Sequence, residues 1–303
     1  LYKIYKKINP DLVHHFTIKP ILYGSLIANL RKIPIFINSI TGLGYIFIGQ
    51  NIKAKLLRIL IIPFYKLLLN KKESFTIFQN FNDQIIFKKL KIVGIRNSVC
   101  IRGSGVNTDY FFNKKNNLYS KNKIIKLLFP SRILIEKGIL ELLEACKKLS
   151  ETKIKYKLYL AGSFDYWNDT KVSKKELIKK MSSLPVVILN QVNDMKALYK
   201  KVDIVILPSW REGLSKALLE AASMGKAIIT TNTPGCSDIV SHGKTGLLVP
   251  LRDSESIFFA VNLLVRNSNL INEFGYEARK KVLNEFSSKI VNDKTIKLYK
   301  LLL

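Results

Sequence analysis

Residues 203–232 read DIVILPSWREGLSKALLEAASMGKAIITTN: a short apolar run, a turn, an amphipathic stretch and a second apolar run. DIVILPS and KAIITTN are Ile-rich and bounded by Pro, Gly or Asn, the pattern of strands buried on both faces. Pro208 stops the first strand, and Trp210 to Gly213 make a turn in which Gly213 permits backbone geometry that other residues resist. From about Leu214 the pattern LSKALLEAASM predicts a helix, with Gly225 placed as its C-terminal cap. Strand, helix and strand in this order are the unit of a parallel sheet.

The same alternation extends in both directions. Toward the N-terminus, DLVHHF (11–16), IPIFINSI (33–40) and SFTIFQN (74–80) are predicted strands, and SVCIRGSGVNTDYF (98–111) a strand followed by a Gly-containing loop. PILYGSLIANLRK (20–32), NIKAKLLRILIIPFYKLLLNKK (51–72) and DQIIFKKLK (83–91) are the helices between them. FNKKNNLYSKNK (112–123) is polar and aperiodic, as a linker would be. The pattern then restarts with IIKLLFPSRI, GILELLEACKKLS (138–150), YKLYLAG (156–162), VVILN (186–190) and DMKALYKKV (194–202), and after the opening stretch ends in TGLLVP and two helices. The expected fold is α/β, with two Rossmann-like domains at 1–111 and 124–285 and a ligand cleft between them. An open sheet of this kind normally has further strands before the point where the chain begins, so the first domain is expected to be incomplete.

Apolar residues make up 48% of the 303 and aromatic residues 10%, which argues for a folded rather than a disordered chain. The net charge of +28 has two readings. It is either attraction to a polyanionic partner, meaning an anionic membrane surface or phosphorylated substrates, or the mark of a Lys-rich composition. Lysine greatly outnumbers arginine, and no nucleic-acid-reading motif or aromatic–basic interleaving is present, so nucleic acid is not an expected partner. Cys100, Cys146 and Cys236 are widely spaced and read as buried thiols in a reducing compartment. His14, His15 and His242 have no zinc-site spacing. GLGYIFIG (42–49) follows a strand but lacks the third glycine of a dinucleotide fingerprint.

Two glutamates, Glu212 and Glu220, stand out in so basic a chain. With the helix starting near 214, Glu212 lies at its positive end, and Glu220 lies about 9 Å further along the axis at roughly 1.5 Å per residue. Backbone N–H groups of residues 213 to 216 would face a phosphate between them. A carboxylate at 220 suits a ribose diol, and one at 212 suits the hydroxyls of a donor sugar. The plainer alternatives are a helix-capping carboxylate at 212 and a partly buried, paired one at 220. Arg132 and Lys137, in PSRILIEKGILELLEA (130–145), flank a strand-to-helix loop. They either hold a diphosphate or are ordinary surface charge.

Taken together, PSRILIEKGILELLEA, LYLAG, the run from DMKALYKKV to TGLLVP and the ending FSSKIVNDKTIKLY resemble the retaining GT-B glycosyltransferases of glycosyltransferase family 4. FTIKPILYGSLIA, ITGLGYIF, IFQNFND and GSGVNTDYF extend that resemblance through the first half, toward enzymes that build bacterial polysaccharides, O-antigens or lipid-linked oligosaccharides. The resemblance implies an N-terminally truncated member, because such enzymes begin with a strand and a Gly-rich loop. It implies a donor-ribose role for Glu220, a donor-sugar or leaving-phosphate role for Glu212, and a diphosphate grip for Arg132 and Lys137. Backbone contacts are implied at Gly213, Leu214 and Ser215, with Val192 beside the base. Thr41 takes the place of a histidine common in the family, and with Lys19 would lie on the acceptor side. Residues 286–303 would form a helix crossing back to the first domain.

The implied reaction is transfer of a hexose or N-acetylhexosamine from a nucleotide sugar, UDP preferred, to a glycan or polyprenyl-diphosphate-linked saccharide. It retains configuration and uses no cofactor and no metal. A non-catalytic nucleotide-sugar-binding module is the alternative. The helix expected at 51–72 combines a wide apolar face with Lys53, Lys55, Arg58, Lys66, Lys71 and Lys72. It suits either an anionic membrane surface or a sheet-covering role with a solvated basic face. No apolar run reaches the roughly 20 residues of a spanning helix. The expected location is therefore cytoplasmic, peripheral at the inner face of the cytoplasmic membrane.

Overall fold

A computed structural model describes residues 1–44, 47, 52–113, 124–164 and 174–303. Most of the expected linker (114–123), part of the ITGLGYIF motif and Asn51 of the basic helix lie outside these described residues. The chain forms two compact units, one from Leu1–Ser104 with Lys289–Leu303 and the other from Gly105–Ser288.

The first unit runs α1 (Tyr2–Ile8), β1 (Leu12–Phe16), α2 (Ile18–Leu30), β2 (Ile35–Ile40), α3 (Ile52–Leu69), β3 (Ser74–Phe78), α4 (Phe81–Lys89) and β4 (Ser98–Cys100). Its strands lie in the order β1-β2-β3-β4, all parallel. Alternate residues of a strand point to opposite faces. Accordingly Ile40 and Phe78 pack with Tyr65, Leu68 and Phe87 on one side, while Ile37 and Ile77 pack with Val291 and Leu298 on the other. Helix α1 was not among the expected elements, because it buries none of its residues and so carries no core-facing periodicity.

The second unit runs β5 (Ile125–Phe129), α5 (Ile139–Ser150), β6 (Tyr156–Ala161), α6 (Lys174–Met181), β7 (Val186–Asn190), α7 (Met195–Lys201), β8 (Ile204–Leu207), α8 (Lys216–Ser223), β9 (Ala227–Thr231), β10 (Leu247–Val249), α9 (Ser254–Arg266) and α10 (Ser268–Glu285). Helix α11 (Ser288–Leu302) follows and supplies the Val291 and Leu298 already met in the first unit. The six strands are ordered β10-β9-β8-β5-β6-β7 and are parallel throughout. Every residue of β8 and β9 is buried, as their uninterrupted apolar character predicts. Both units are Rossmann-like, in line with the expected α/β class.

The units divide at Gly105, before the boundary expected after residue 111. Val106 accepts from the backbone N–H of Ser288 at 2.9 Å, and the Phe111 carbonyl accepts from Ser223 Oγ at 2.8 Å and from the Arg279 guanidinium at 3.1 Å. These ties bind 105–111 to the second unit.

The strand order positions the candidate site. From β5 the chain moves outward to β6 and β7, then returns to lay β8 against the other side of β5 and proceeds to β9. The loops leaving β5 and β8 therefore diverge, and beyond the carboxyl ends of two such strands a parallel sheet opens its ligand crevice.

Candidate functional site

Those two loops carry the residues singled out in the sequence. The loop after β5 closes with a short 3₁₀ turn, Ile135–Lys137, and the loop after β8 runs from Pro208 to Ser215. They are fastened together by backbone first: Trp210 N–H donates to the Glu136 carbonyl at 2.8 Å, and Ser209 Oγ donates to the same oxygen at 3.3 Å. Gly138 stands at φ 77°, and a Cβ there would collide with the Pro208 carbonyl oxygen. Only glycine meets both conditions. Across this seam Lys137 Nζ donates to Glu212 Oε1 at 2.7 Å, with the two side chains 16% and 15% exposed. The cation and the carboxylate, distant in sequence, are thus a single half-buried pair at the crevice.

Glu212 is also fixed from the side of β9. Its N–H donates to the Pro234 carbonyl at 3.3 Å, and its own carbonyl abuts Gly235, at φ 79°, where a Cβ would not fit. Behind it, burial and then the Glu212 charge push the Cys236 thiol up to about 11. Glu212 does not cap a helix. Helix α8 begins at Lys216, later than expected, and its N-cap residue Ser215 makes no side-chain capping bond. The anchoring of 212 to the loop after β9 keeps Gly213 and Leu214 in the turn. The unpaired amides that belong to α8 are those of its first turn from Ser215 onward, and the helical rise does not measure the whole span from Glu212 to Glu220.

Glu220 lies inside α8 and is half-buried. The buried Tyr199 hydroxyl donates to the Ala217 carbonyl at 2.9 Å and toward Glu220 Oε2 at 3.5 Å. Burial raises the Glu220 carboxyl above its ordinary range, against the opposing pull of Lys216 and the tyrosine hydrogen bond. Tyr199 is itself pushed well up by burial, with the Glu220 charge adding to it. The expected paired, partly buried carboxylate is therefore present, and its partner is a phenol rather than a cation.

The remaining candidates are more dispersed. Arg132 is exposed just after β5. Gly213 and Leu214 are half-buried in the turn, and Ser215 is buried. Val192 follows the end of β7, an edge strand separated from β5 by β6. Thr41 directly follows β2, and Lys19 is exposed at the start of α2; both belong to the first unit. His14 and His15 are internal to β1. His14 Nε2 meets Ser39 Oγ at 2.7 Å while Nδ1 bonds Tyr299, and His15 meets Asn38 Oδ1 and the Tyr5 hydroxyl, both at 2.9 Å. Burial holds both imidazoles below the ordinary range, His14 at about 4 with help from the adjacent His15. They are neutral packing groups.

Two residues of the site, Trp210 and Tyr199, were not singled out in the sequence as site residues. Trp210 donates Nε1–H to Glu141 Oε1 at 3.1 Å and lies under the Arg252 guanidinium, 3.9 Å from the ring centroid. Tyr199 was legible only as a core position of its helix. An indole two residues before Glu212 was a usable signal; the partners of Trp210 and the aim of the Tyr199 hydroxyl were not visible. Among the described residues no three His, Cys, Asp or Glu side chains gather as a metal site would require. A cation and two carboxylates beside a helix N-terminus can orient hydroxyls and neutralise a phosphate.

A family model described as glycosyl transferases, group 1, matches residues 110–281, and one described as glycosyl transferase 4-like matches residues 1–80. The chain is 29% identical to the N,N'-diacetylbacillosaminyl-diphospho-undecaprenol alpha-1,3-N-acetylgalactosaminyltransferase of Campylobacter jejuni, over 99% of this chain and 79% of that protein. It is 27% identical to the UDP-Gal:alpha-D-GlcNAc-diphosphoundecaprenol alpha-1,3-galactosyltransferase of Escherichia coli, over 99% and 77% respectively. Among solved structures, Anabaena HepE in complex with UDP and glucose superposes with a TM-score of 0.83 at 16% identity, covering 98% of this chain and 80% of that one. That last likeness is one of fold.

Proposed function

Because the chain belongs to the group 1 glycosyl transferases, we propose that it transfers a hexosyl or N-acetylhexosaminyl group from a UDP-sugar to a polyprenyl-diphosphate-linked saccharide in bacterial polysaccharide synthesis, retaining anomeric configuration and using no divalent metal. The observation that carries this reading is the Lys137–Glu212 pair, set across the β5–β8 switch point in front of helix α8. The two named transferases that match nearly the whole chain act on diphospho-undecaprenol acceptors and support the same acceptor class.

In this mechanism the Glu220 carboxylate accepts both hydroxyls of the ribose. The diphosphate lies over the first turn of α8, where the helix dipole and amide donors favour negative charge. An ammonium has three donors, so Lys137 keeps Glu212 oriented and still reaches the departing phosphate, with Arg132 adding a second positive charge. Glu212 holds the donor sugar's hydroxyls, and the acceptor hydroxyl attacks from the face the diphosphate leaves. Most of the acceleration comes from positioning and electrostatics. The reaction is placed at the cytoplasmic face of the membrane, where such an acceptor would meet a nucleotide sugar.

Calorimetric titration of the chain with UDP and GDP tests the donor site. UDP is expected to saturate one site and bind more tightly than GDP. Lys137→Ala and Glu220→Ala are each expected to weaken UDP by roughly tenfold to a hundredfold, the range for a charge-assisted hydrogen bond. Saturable UDP binding untouched by either change would move the site elsewhere. Transfer from a UDP-sugar to a polyprenyl-diphosphate-linked disaccharide, unaffected by chelator and giving an α-linked product, is the expected activity.

A further inference from the structure

The sheet of the second unit ends at the edge strand β10, and helix α9 lies beside that edge. Between them runs a groove of about 530 Å³. Leu248 and Pro250 line it from the strand, and Phe259 and Leu263 from the helix. Phe259 is 57% exposed and Leu263 44%. Four residues apart, they project from one face of α9. That face is the outer one, since Ile257, Val261 and Leu264 are buried in the core. The outer face of a surface helix is ordinarily polar. The polar groups of this groove are also one-sided. His242 Nδ1 accepts from the Leu248 N–H at 3.0 Å, which places the imidazole proton on Nε2. Asn262 Oδ1 accepts from Arg266 Nε at 3.0 Å, so the Asn262 amide nitrogen and the terminal nitrogens of Arg266 are left as donors. Ser256 donates its hydroxyl to Asp253. No Asp or Glu is among the described lining residues.

We propose that this groove binds a monocarboxylate with an apolar chain, a small molecule of the fatty-acid type. The chain lies against Leu248, Phe259 and Leu263, and the carboxylate meets the Arg266 guanidinium, with the Asn262 amide and the His242 Nε2–H as further donors. One guanidinium matches one carboxylate in charge and in its forked geometry. A phosphate monoester, with a charge approaching −2, would be left partly uncompensated. Other occupants fit less well. The Val249 carbonyl accepts from the Asn232 N–H, so that residue turns toward β9 and Leu248 turns outward. The outward amide is already spent on His242, which blunts the edge against an added strand. A second copy docked groove to groove would set Arg266 against a surface of donors. A bilayer is met by apolar groups that protrude, whereas a concave site of this volume encloses one small molecule.

The experiment is calorimetric titration of the full chain with decanoate, beside decanol, decyl phosphate and decyltrimethylammonium, each below its micellar concentration. Decanoate is expected to saturate one site. Decanol is expected to bind at least about tenfold more weakly for want of the charge-assisted hydrogen bond. Decyl phosphate is expected to bind more weakly than decanoate, and decyltrimethylammonium not at all. Arg266→Gln is expected to weaken decanoate by about tenfold to a hundredfold and to leave decanol unchanged. Phe259→Ser with Leu263→Ser is expected to weaken both at least about tenfold, from the apolar area no longer buried. Because both side chains are exposed, the thermal midpoint of that variant is expected to hold. Hydrogen exchange is expected to show protection by decanoate confined to residues 242–250 and 256–266. Equal affinity for decanoate and decanol, or decanoate binding indifferent to Arg266→Gln, would overturn the proposal. So would tighter binding of decyl phosphate, or many weak sites dispersed by salt, the behaviour of a lysine-rich surface. A dimer in solution, or binding to vesicles, that the serine pair abolishes would reassign the groove to a second copy or a bilayer. UDP binding by the serine variant is expected to match that of the parent, since the groove shares no residue with the candidate donor site.

Discussion

Glu220 ionises in surroundings that penalise its charge. Burial lifts its pKa above the ordinary 4.5. Between that value and the raised one, the folded chain holds a proton that the unfolded chain has lost. Stability therefore falls as pH rises through the window and stays lower above it. Glu220→Gln removes the ionisation and keeps the shape. Relative to the parent, the variant is expected to gain resistance to urea at neutral pH, and that gain should vanish below pH 4.5. A stability difference independent of pH would contradict the assignment. Ligand binding has the opposite sign: a ribose diol donates to the carboxylate, so UDP affinity of the parent should weaken as pH falls through the raised pKa, while the Gln variant binds weakly at every pH. At this scale the sequence was informative about residue type and silent about partnership. Glu212, Glu220 and Lys137 were identifiable as isolated charges, and the contact of Lys137 with Glu212 depended on loops separated by most of a domain. The same holds for His14 and His15, kept neutral by burial, which no local pattern reveals; their hydrogen-bond partners lie on β2, α1 and α11.

The seam between the loops after β5 and β8 depends on one backbone conformation. Gly138 holds a positive φ of 77° with its α-carbon against the Pro208 carbonyl. Gly138→Ala adds a Cβ both to a left-handed residue and to a space already filled. It is expected to cost about 1–3 kcal/mol from the strained conformation alone, read as a lower thermal midpoint. Because the loops must separate to admit the methyl group, UDP affinity is expected to fall as well. A variant with unchanged midpoint and affinity would mean the seam is not as close as the geometry gives it. Strands were the legible elements. Their short apolar runs, punctuated by Pro, Gly and Asn, correspond to β1 to β10 because a strand buried on both faces needs no polar alternation. The start of α8 was less legible, since propensity favours a helix from Leu214 while the tie of Glu212 to the loop after β9 holds the chain in a turn until Ser215. Helix α3 was visible as basic and apolar, but which of its apolar faces the protein covers is a tertiary fact.

Strand order is a property of the whole molecule, and the sequence alone does not contain it. The βα alternation predicted two parallel sheets; the return of the chain from β7 to β8 beside β5 creates the crevice, and it is made of contacts remote in sequence. Each unit also has a core of its own. The large cluster from Val106 to Phe286 belongs wholly to the second unit, while the clusters around Phe78, Ile37 and Phe36 belong to the first. Every candidate donor contact, from Arg132 to Glu220, lies in the second unit, whereas Thr41 and Lys19 lie in the first. A ligand stabilises only the folded region that binds it, by RT ln(1 + [L]/Kd), or about 2.7 kcal/mol at a hundredfold excess over Kd. Urea unfolding of the chain is therefore expected to resolve two transitions, with saturating UDP moving one of them by roughly that amount and leaving the other in place. Hydrogen exchange on the same samples should show which is which, with added protection confined to amides of the second unit near the β5 and β8 loops and α8. Equal displacement of both transitions, or UDP-dependent protection in β1 to β4, would mean that the first unit contributes directly to nucleotide binding and that the donor site is larger than the β5–β8 crevice.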